Sequence, residues 1–115
     1  MVIDTVDQAN GTIVLSLRGR YDFQSRHAYQ SALDQAFQAT PKLVILDFSH
    51  VTYIDSAGLG LLALSHKKFF EHAMCLSIAG PRKLVKQILN LANMGEIFPI
   101  CDSVTAATQA TASRQ

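Results

Sequence analysis

The run Leu43-Val44-Ile45-Leu46-Asp47-Phe48 is apolar at successive positions rather than at alternate ones. A strand built from it buries both faces, which fits a central place in a sheet covered on at least one side by helices. The segments around it carry a helical period. Ahead of it, Ala28, Ala32, Leu33, Ala36 and Phe37 recur at helical spacing. Ser25 is a candidate cap for that helix, and Thr40-Pro41 ends it near Ala39. Behind it, an apolar segment from Leu61 to Phe70 predicts a second helix over about 57–72. A buried strand between two helices is the repeating unit of a parallel sheet.

The rest of the chain extends this pattern. Residues 2–7 alternate as a strand, Asn10-Gly11 is a hairpin turn because both positions tolerate positive φ, and 12–18 alternate again. Gly19 is expected to close that second strand. Met74 to Ala79 reads as a strand, and Gly80-Pro81 starts a third helix with Leu84, Val85, Ile88, Leu89 and Ala92 on its apolar face. Asn93 and Gly95 stop it. Ile97 to Ile100 reads as a short strand that Pro99 restricts to a sheet edge. Asp102 or Ser103 caps a last helix through about Thr108. The predicted order is β-β-α-β-α-β-α-β-α, a single α/β domain over residues 1–109 with a mixed, mostly parallel sheet of about five strands and about four helices. Residues 110–115 read as a flexible C-terminal tail.

Bulk properties narrow the function. A length of 115 residues suits one core, and 49% hydrophobic against 17% charged residues argues against disorder. The net charge of +1, with scattered basic residues, leaves no electrostatic footprint for nucleic acid. The longest apolar stretches reach about six residues, far short of the ~20 that span a bilayer. Met1-Val2-Ile3-Asp4 lacks the basic start of a secretory signal, so the expected location is the cytoplasm, without a membrane partner. Cys75 and Cys101 are expected to be reduced core residues there.

The chemistry concentrates in Asp55-Ser56-Ala57-Gly58-Leu59-Gly60, between the central strand and the second helix. Gly58 to Ala63 fits the G-x-G-x-x-A pattern of dinucleotide-binding turns. However, the apolar strand ends about ten residues before Gly58, and the next strand ends in Ala79-Gly80 with no acid for a ribose. His27, His50, His66 and His72 form no i, i+4 pair, so no metal site is expected. Ser56 is not in a nucleophile elbow and His50 shows no triad role, so catalysis is unsupported and no cofactor is implied. What remains is the helix start, whose unpaired N–H groups favour negative charge. Asp55 or Ser56 is its N-cap. The two glycines, each costing about 0.5–1 kcal/mol inside a helix, imply close approach either by the sheet or by a docking partner. Leu59, Leu61, Leu62, Ala63, Leu64, Phe69 and Phe70 cover more than one face of this helix, which adds weight to a partner.

On these residues the chain resembles the STAS domain family of bacterial anti-sigma factor antagonists, over nearly its whole length. The resemblance rests on Leu46-Asp47-Phe48-Ser49 followed by Tyr53-Ile54-Asp55-Ser56-Ala57-Gly58-Leu59-Gly60, on Gly19-Arg20-Tyr21-Asp22, and on Ala79-Gly80. It implies a protein that is not an enzyme but the substrate of one. Ser56 would accept phosphate from a partner that is both anti-sigma factor and serine kinase, and a serine phosphatase would remove it. Asp22, Asp55, Ala57, Gly58, Leu59 and Gly60 would form the partner-binding surface with Ser56. The unmodified form would hold the anti-sigma factor and free the sigma factor for transcription. Ala57 stands where the family often has a second serine, and the loop around Tyr21, Phe23 and Arg26 is bulkier than usual. The resemblance also allows another role, as a STAS subunit of a larger assembly such as a lipid transport complex or a stress-sensing particle.

Overall fold

The central strand runs much further than its apolar half. In the computed structural model, which describes residues 1–8 and 10–113, it extends from Leu43 to Ile54 (β3). Leu43 to Leu46 are buried on both faces, whereas from Asp47 onward Phe48, Val51 and Ile54 are buried between half-buried or exposed neighbours. The strand thus changes from a two-sided to a one-sided pattern without ending. It stops immediately before Asp55, so the distance between strand and glycines that counted against a tight turn is not there. The absence of an acid after Ala79 still counts against a dinucleotide.

Around β3 lie β1 (Val2–Gln8), β2 (Thr12–Tyr21), α1 (Arg26–Gln38), α2 (Ser56–Glu71), β4 (Cys75–Ala79), α3 (Lys83–Leu91), β5 (Ile100–Cys101) and α4 (Val104–Ser113). Short 3-10 turns at Phe23–Ser25 and Met94–Glu96 complete the order. The five strands sit in the sheet in chain order, β1-β2-β3-β4-β5. β1 and β2 form the antiparallel hairpin, turned at Asn10 and Gly11 with φ of 68° and 77°, and every other pair is parallel. The three crossovers step the same way along the sheet. The right-handed rule therefore places α1, α2 and α3 on one face. There Leu33, Leu62, Phe69, Val85 and Leu89 pack with Leu15, Leu46 and Ile78. On the other face Ala107 of α4 packs with Val14, Leu43, Ile45 and Ala79.

Several boundaries differ from the sequence expectation for identifiable reasons. Gly19 does not close β2; at φ +102° it carries the strand across two register shifts, so β2 continues to Tyr21. Tyr21 is then fully buried against Tyr29 and Phe48 rather than part of a bulky surface loop. α3 begins at Lys83, after Arg82 in extended conformation. β5 is two residues long, starting after Pro99. α4 runs to Ser113, so part of the segment expected as a tail is helical; Arg114 and Gln115 lie outside the described residues. Both thiols are free, but Cys75 is exposed rather than a core residue because it opens β4 at the margin of the sheet. Among the described residues no helix is long and apolar enough to cross a membrane.

Candidate functional site

The site forms where β2 and β3 end side by side and α2 begins. Asp55 is the N-cap of α2, in extended conformation at φ −104° and ψ −178°. One carboxylate oxygen accepts the N–H of Gly58 at 2.8 Å. The other accepts the N–H of Phe23, 32 residues earlier, at 3.4 Å. The cap is therefore also a strap between the α2 start and the β2–α1 connection. Of the two residues able to cap, Asp55 does so. Ser56 is the first residue of the helix and is exposed.

The connection is itself rigid. Asp22 caps the 3-10 turn: its carboxylate accepts the N–H of Ser25 at 3.2 Å, while Ser25 Oγ accepts the N–H of Asp22 and donates to the Asp22 carbonyl, both at 2.8 Å. Ser25 thus serves this turn rather than α1, where it makes no side-chain cap bond. Arg20 Nε donates to the second oxygen of Asp22 at 3.3 Å, and its guanidinium lies 4.5 Å from the Tyr53 ring centre. Desolvation raises the carboxyl pKa of Asp22. The Arg20 hydrogen bond, the Ser25 N–H, the Arg20 charge and the Gln24 N–H together outweigh it and hold the group below the usual aspartate value. Asp22 is a carboxylate at neutral pH.

The two glycines have different roles. Gly58 is buried, and a Cβ built on it would lie 2.5 Å from Tyr21 Cδ1 and 2.7 Å from the Tyr21 carbonyl oxygen. This glycine is the clearance that lets α2 sit on the end of β2. At Gly60 a Cβ would meet nothing within 4 Å. Sheet packing accounts for the first glycine and not for the second. Beyond this turn the helices are pinned by a buried chain: Tyr29 OH donates to Ser65 Oγ at 2.8 Å, which donates to the Leu61 carbonyl at 2.7 Å. Burial pushes the Tyr29 hydroxyl up to about 12 despite its hydrogen bond to Ser65, and pushes Tyr21 up as well.

Of the residues singled out from sequence, Ser56 and Gly60 are exposed, Asp22, Asp55, Ala57 and Leu59 are half-buried, and Gly58 faces inward. Asp22 and Asp55 are brought together through Phe23. The sequence singled out Phe23 only as part of a loop bulkier than is usual in the family, with a bearing on partner specificity. Phe23 is 56% exposed, with the Arg26 guanidinium 3.8 Å from its ring centre and Arg26 Nη1 donating to its carbonyl at 2.9 Å. An apolar side chain is thus held outward beside the helix start, and the Phe23–Arg26 spacing was the available signal.

This arrangement offers an exposed hydroxyl at a helix start, flanked by a hydrogen-bonded loop in which Arg20 pairs with Asp22. Residues 5–107 match the STAS domain family model. The chain belongs to the STAS domain family. A STAS-domain containing protein of Pseudomonas aeruginosa is 28% identical over 101 residues, 87% of this chain and 99% of that protein. The anti-sigma-F factor antagonist RsfB of Mycobacterium tuberculosis is 33% identical over 94 residues, 82% of this chain and 76% of RsfB. The fold is shared with the Bacillus anti-sigma factor antagonist SpoIIAA in its unphosphorylated form, at a TM-score of 0.78 and 18% identity, covering 96% of this chain and 97% of that one. The phosphorylated form of SpoIIAA superposes at 0.70 with 17% identity, covering 95% and 99%.

Proposed function

We propose that this STAS domain is an anti-sigma factor antagonist that works by partner switching, with Ser56 as the switch. The unphosphorylated protein binds an anti-sigma factor that is also a serine kinase, and so releases a sigma factor. Phosphorylation of Ser56 ends the binding, and a serine phosphatase restores it. The single supporting observation is the division of labour at the helix start. Asp55 does the capping, so the Ser56 hydroxyl stands exposed and can be modified without removing the cap. A phosphate there adds about −1.5 to −2 charges at pH 7. The helix N-terminus accommodates that charge, so the fold survives. A partner covering Ser56, Gly60 and Phe23 would have to bury the charge beside Asp55, and is rejected. The names of RsfB and SpoIIAA support this reading, as does the existence of a phosphorylated form of SpoIIAA.

The direct test is incubation with the cognate kinase and ATP, followed by peptide mass spectrometry. Phosphate on Ser56 is expected; phosphate elsewhere, or none, overturns the assignment.

A second reading draws on α2, where Leu64 is 66% and Phe70 73% exposed. Apolar side chains that open to water suit a permanent subunit interface, as in a lipid transport complex or stress-sensing particle. Under that reading the chain needs a co-expressed partner to stay in solution, whereas the switch reading requires a protein that is soluble alone.

A further inference from the structure

The sheet ends early on its β5 side, and it ends beside a cavity. β4 and β5 pair only through Ile78 with Ile100 and Ala79 with Cys101. Ile78 N–H donates to the Pro99 carbonyl at 3.0 Å and Gly80 N–H to the Cys101 carbonyl at 2.8 Å, whereas Cys75 N–H donates the other way, to Lys42. Alternation along the strand therefore aims the N–H and C=O of Leu76 at the β5 side. The next rung would need the carbonyl of Ile97 and an N–H at residue 99. Pro99 has no N–H. Ile97 belongs to a turn and donates to Met94 at 3.0 Å. Leu76 is 2% exposed and lines a cavity on that side, and neither Ile97 nor Pro99 supplies its backbone with a partner. Buried backbone groups are almost always paired.

The missing rung opens on a cavity of about 490 Å³ lined by His66, Phe70, Met74, Ile97 and Pro99, with Lys42 among the residues at its wall. Phe70 is 73% exposed, and Lys42 has no ion pair among the described residues. The geometry points to a second binding site at this edge of β4, filled by an extended peptide segment of a partner protein. Its backbone pairs with Leu76, its apolar side chains enter the cavity, and an acidic residue meets Lys42. This is strand addition, in which main-chain bonds give affinity and side-chain pockets give selectivity. An apolar small molecule would fill the cavity but leave the donor and acceptor of Leu76 unmatched, which is why a backbone is the better occupant. Ser56 lies at the opposite end of α2, about 20 Å from Phe70 along the helix axis. The two surfaces can be occupied together, and this site does not depend on the role of Ser56.

A random heptapeptide display library selected on the full-length protein tests the assignment. Selected peptides are expected to be apolar with one acidic residue, and to slow hydrogen exchange of the Leu76 amide at least tenfold. N-methylation of the peptide amide facing Leu76 should weaken binding at least tenfold. Pro99→Ala restores an N–H to the next rung, so it should protect Leu76 without peptide and reduce peptide binding. Ser56→Asp should leave peptide affinity unchanged. The assignment is overturned if no selected peptide protects Leu76, or if N-methylated peptides bind equally well, which would mark a small-molecule pocket. It is equally overturned if Leu76 becomes protected with rising protein concentration alone, which would mark a second copy of the chain.

Discussion

A Cβ placed on Gly58 would lie 2.7 Å from the carbonyl oxygen of Tyr21, closer than any real pair of such atoms. Backbone cannot yield as a flexible side chain does, so Gly58→Ala must push α2 away from the end of β2. Overpacking of this kind costs about 1–3 kcal/mol. Gly60→Ala meets no neighbour and gains helix propensity, about 0.5–1 kcal/mol of stabilisation. Urea denaturation of the two variants should give shifts of opposite sign. Two similar shifts would contradict the packing role of Gly58.

Asp55 serves two elements at once. Asp55→Ala removes the α2 cap, a loss of about 0.5–2 kcal/mol, and releases the N–H of Phe23. Asp55→Asn keeps an acceptor for Gly58 and should recover most of the stability. Amide exchange at Phe23 is the sensitive readout. It should accelerate in the alanine variant even though Phe23 is far away in sequence.

Titration of the loop follows from Asp22. Its folded pKa lies below the unfolded value, so its contribution to stability is present above about pH 4 and is lost as pH falls through the folded pKa. Arg20→Gln removes the positive partner and should raise the Asp22 pKa, as followed by NMR of its carboxyl carbon. Tyr29 behaves in the opposite sense. Its folded pKa of about 12 lies above the unfolded value near 10, so its contribution is complete below pH 10 and is lost as pH rises towards 12. Tyr29→Phe should flatten alkaline unfolding in that window and cost about 1 kcal/mol at neutral pH through the lost bond to Ser65.

The element order and the hairpin were legible in the sequence because they depend on local signals: a doubly apolar run at Leu43–Leu46, a helical period after Ser25, and Asn10-Gly11. The second half of β3 was not. Ser49, His50 and Thr52 are the solvent-side members of a one-sided strand, and local reading takes polar residues for a loop. Gly19 misled for a related reason, since a glycine that bulges a strand and one that ends it are the same letter. Tyr21 could be placed in the core only once β2 was known to continue past that bulge. At the site, the motif was plain, but two capping candidates lay next to each other. Only the carbonyl of Tyr21 and the N–H of Phe23, both distant in sequence, determine which side chain turns inward.

The charge account of Ser56 separates substitutions that a purely steric account would treat alike. Ser56→Ala and Ser56→Asp both leave Asp55 in place as cap, so both should fold with near-native stability. Ser56→Ala should bind the anti-sigma partner at least as well as the unmodified chain, and Ser56→Asp at least tenfold more weakly, a difference of about 1.4 kcal/mol or more. If repulsion from Asp55 and from acidic groups opposite is the cause, salt will shrink the gap. The Debye length falls from about 10 Å at 0.1 M to about 3 Å at 1 M, so titration calorimetry across that range should bring the two affinities towards one another. Equal affinities at low salt would remove the charge mechanism. A gap that persists unchanged at high salt would assign the effect to shape, with the aspartate side chain obstructing the surface that Gly60 leaves open.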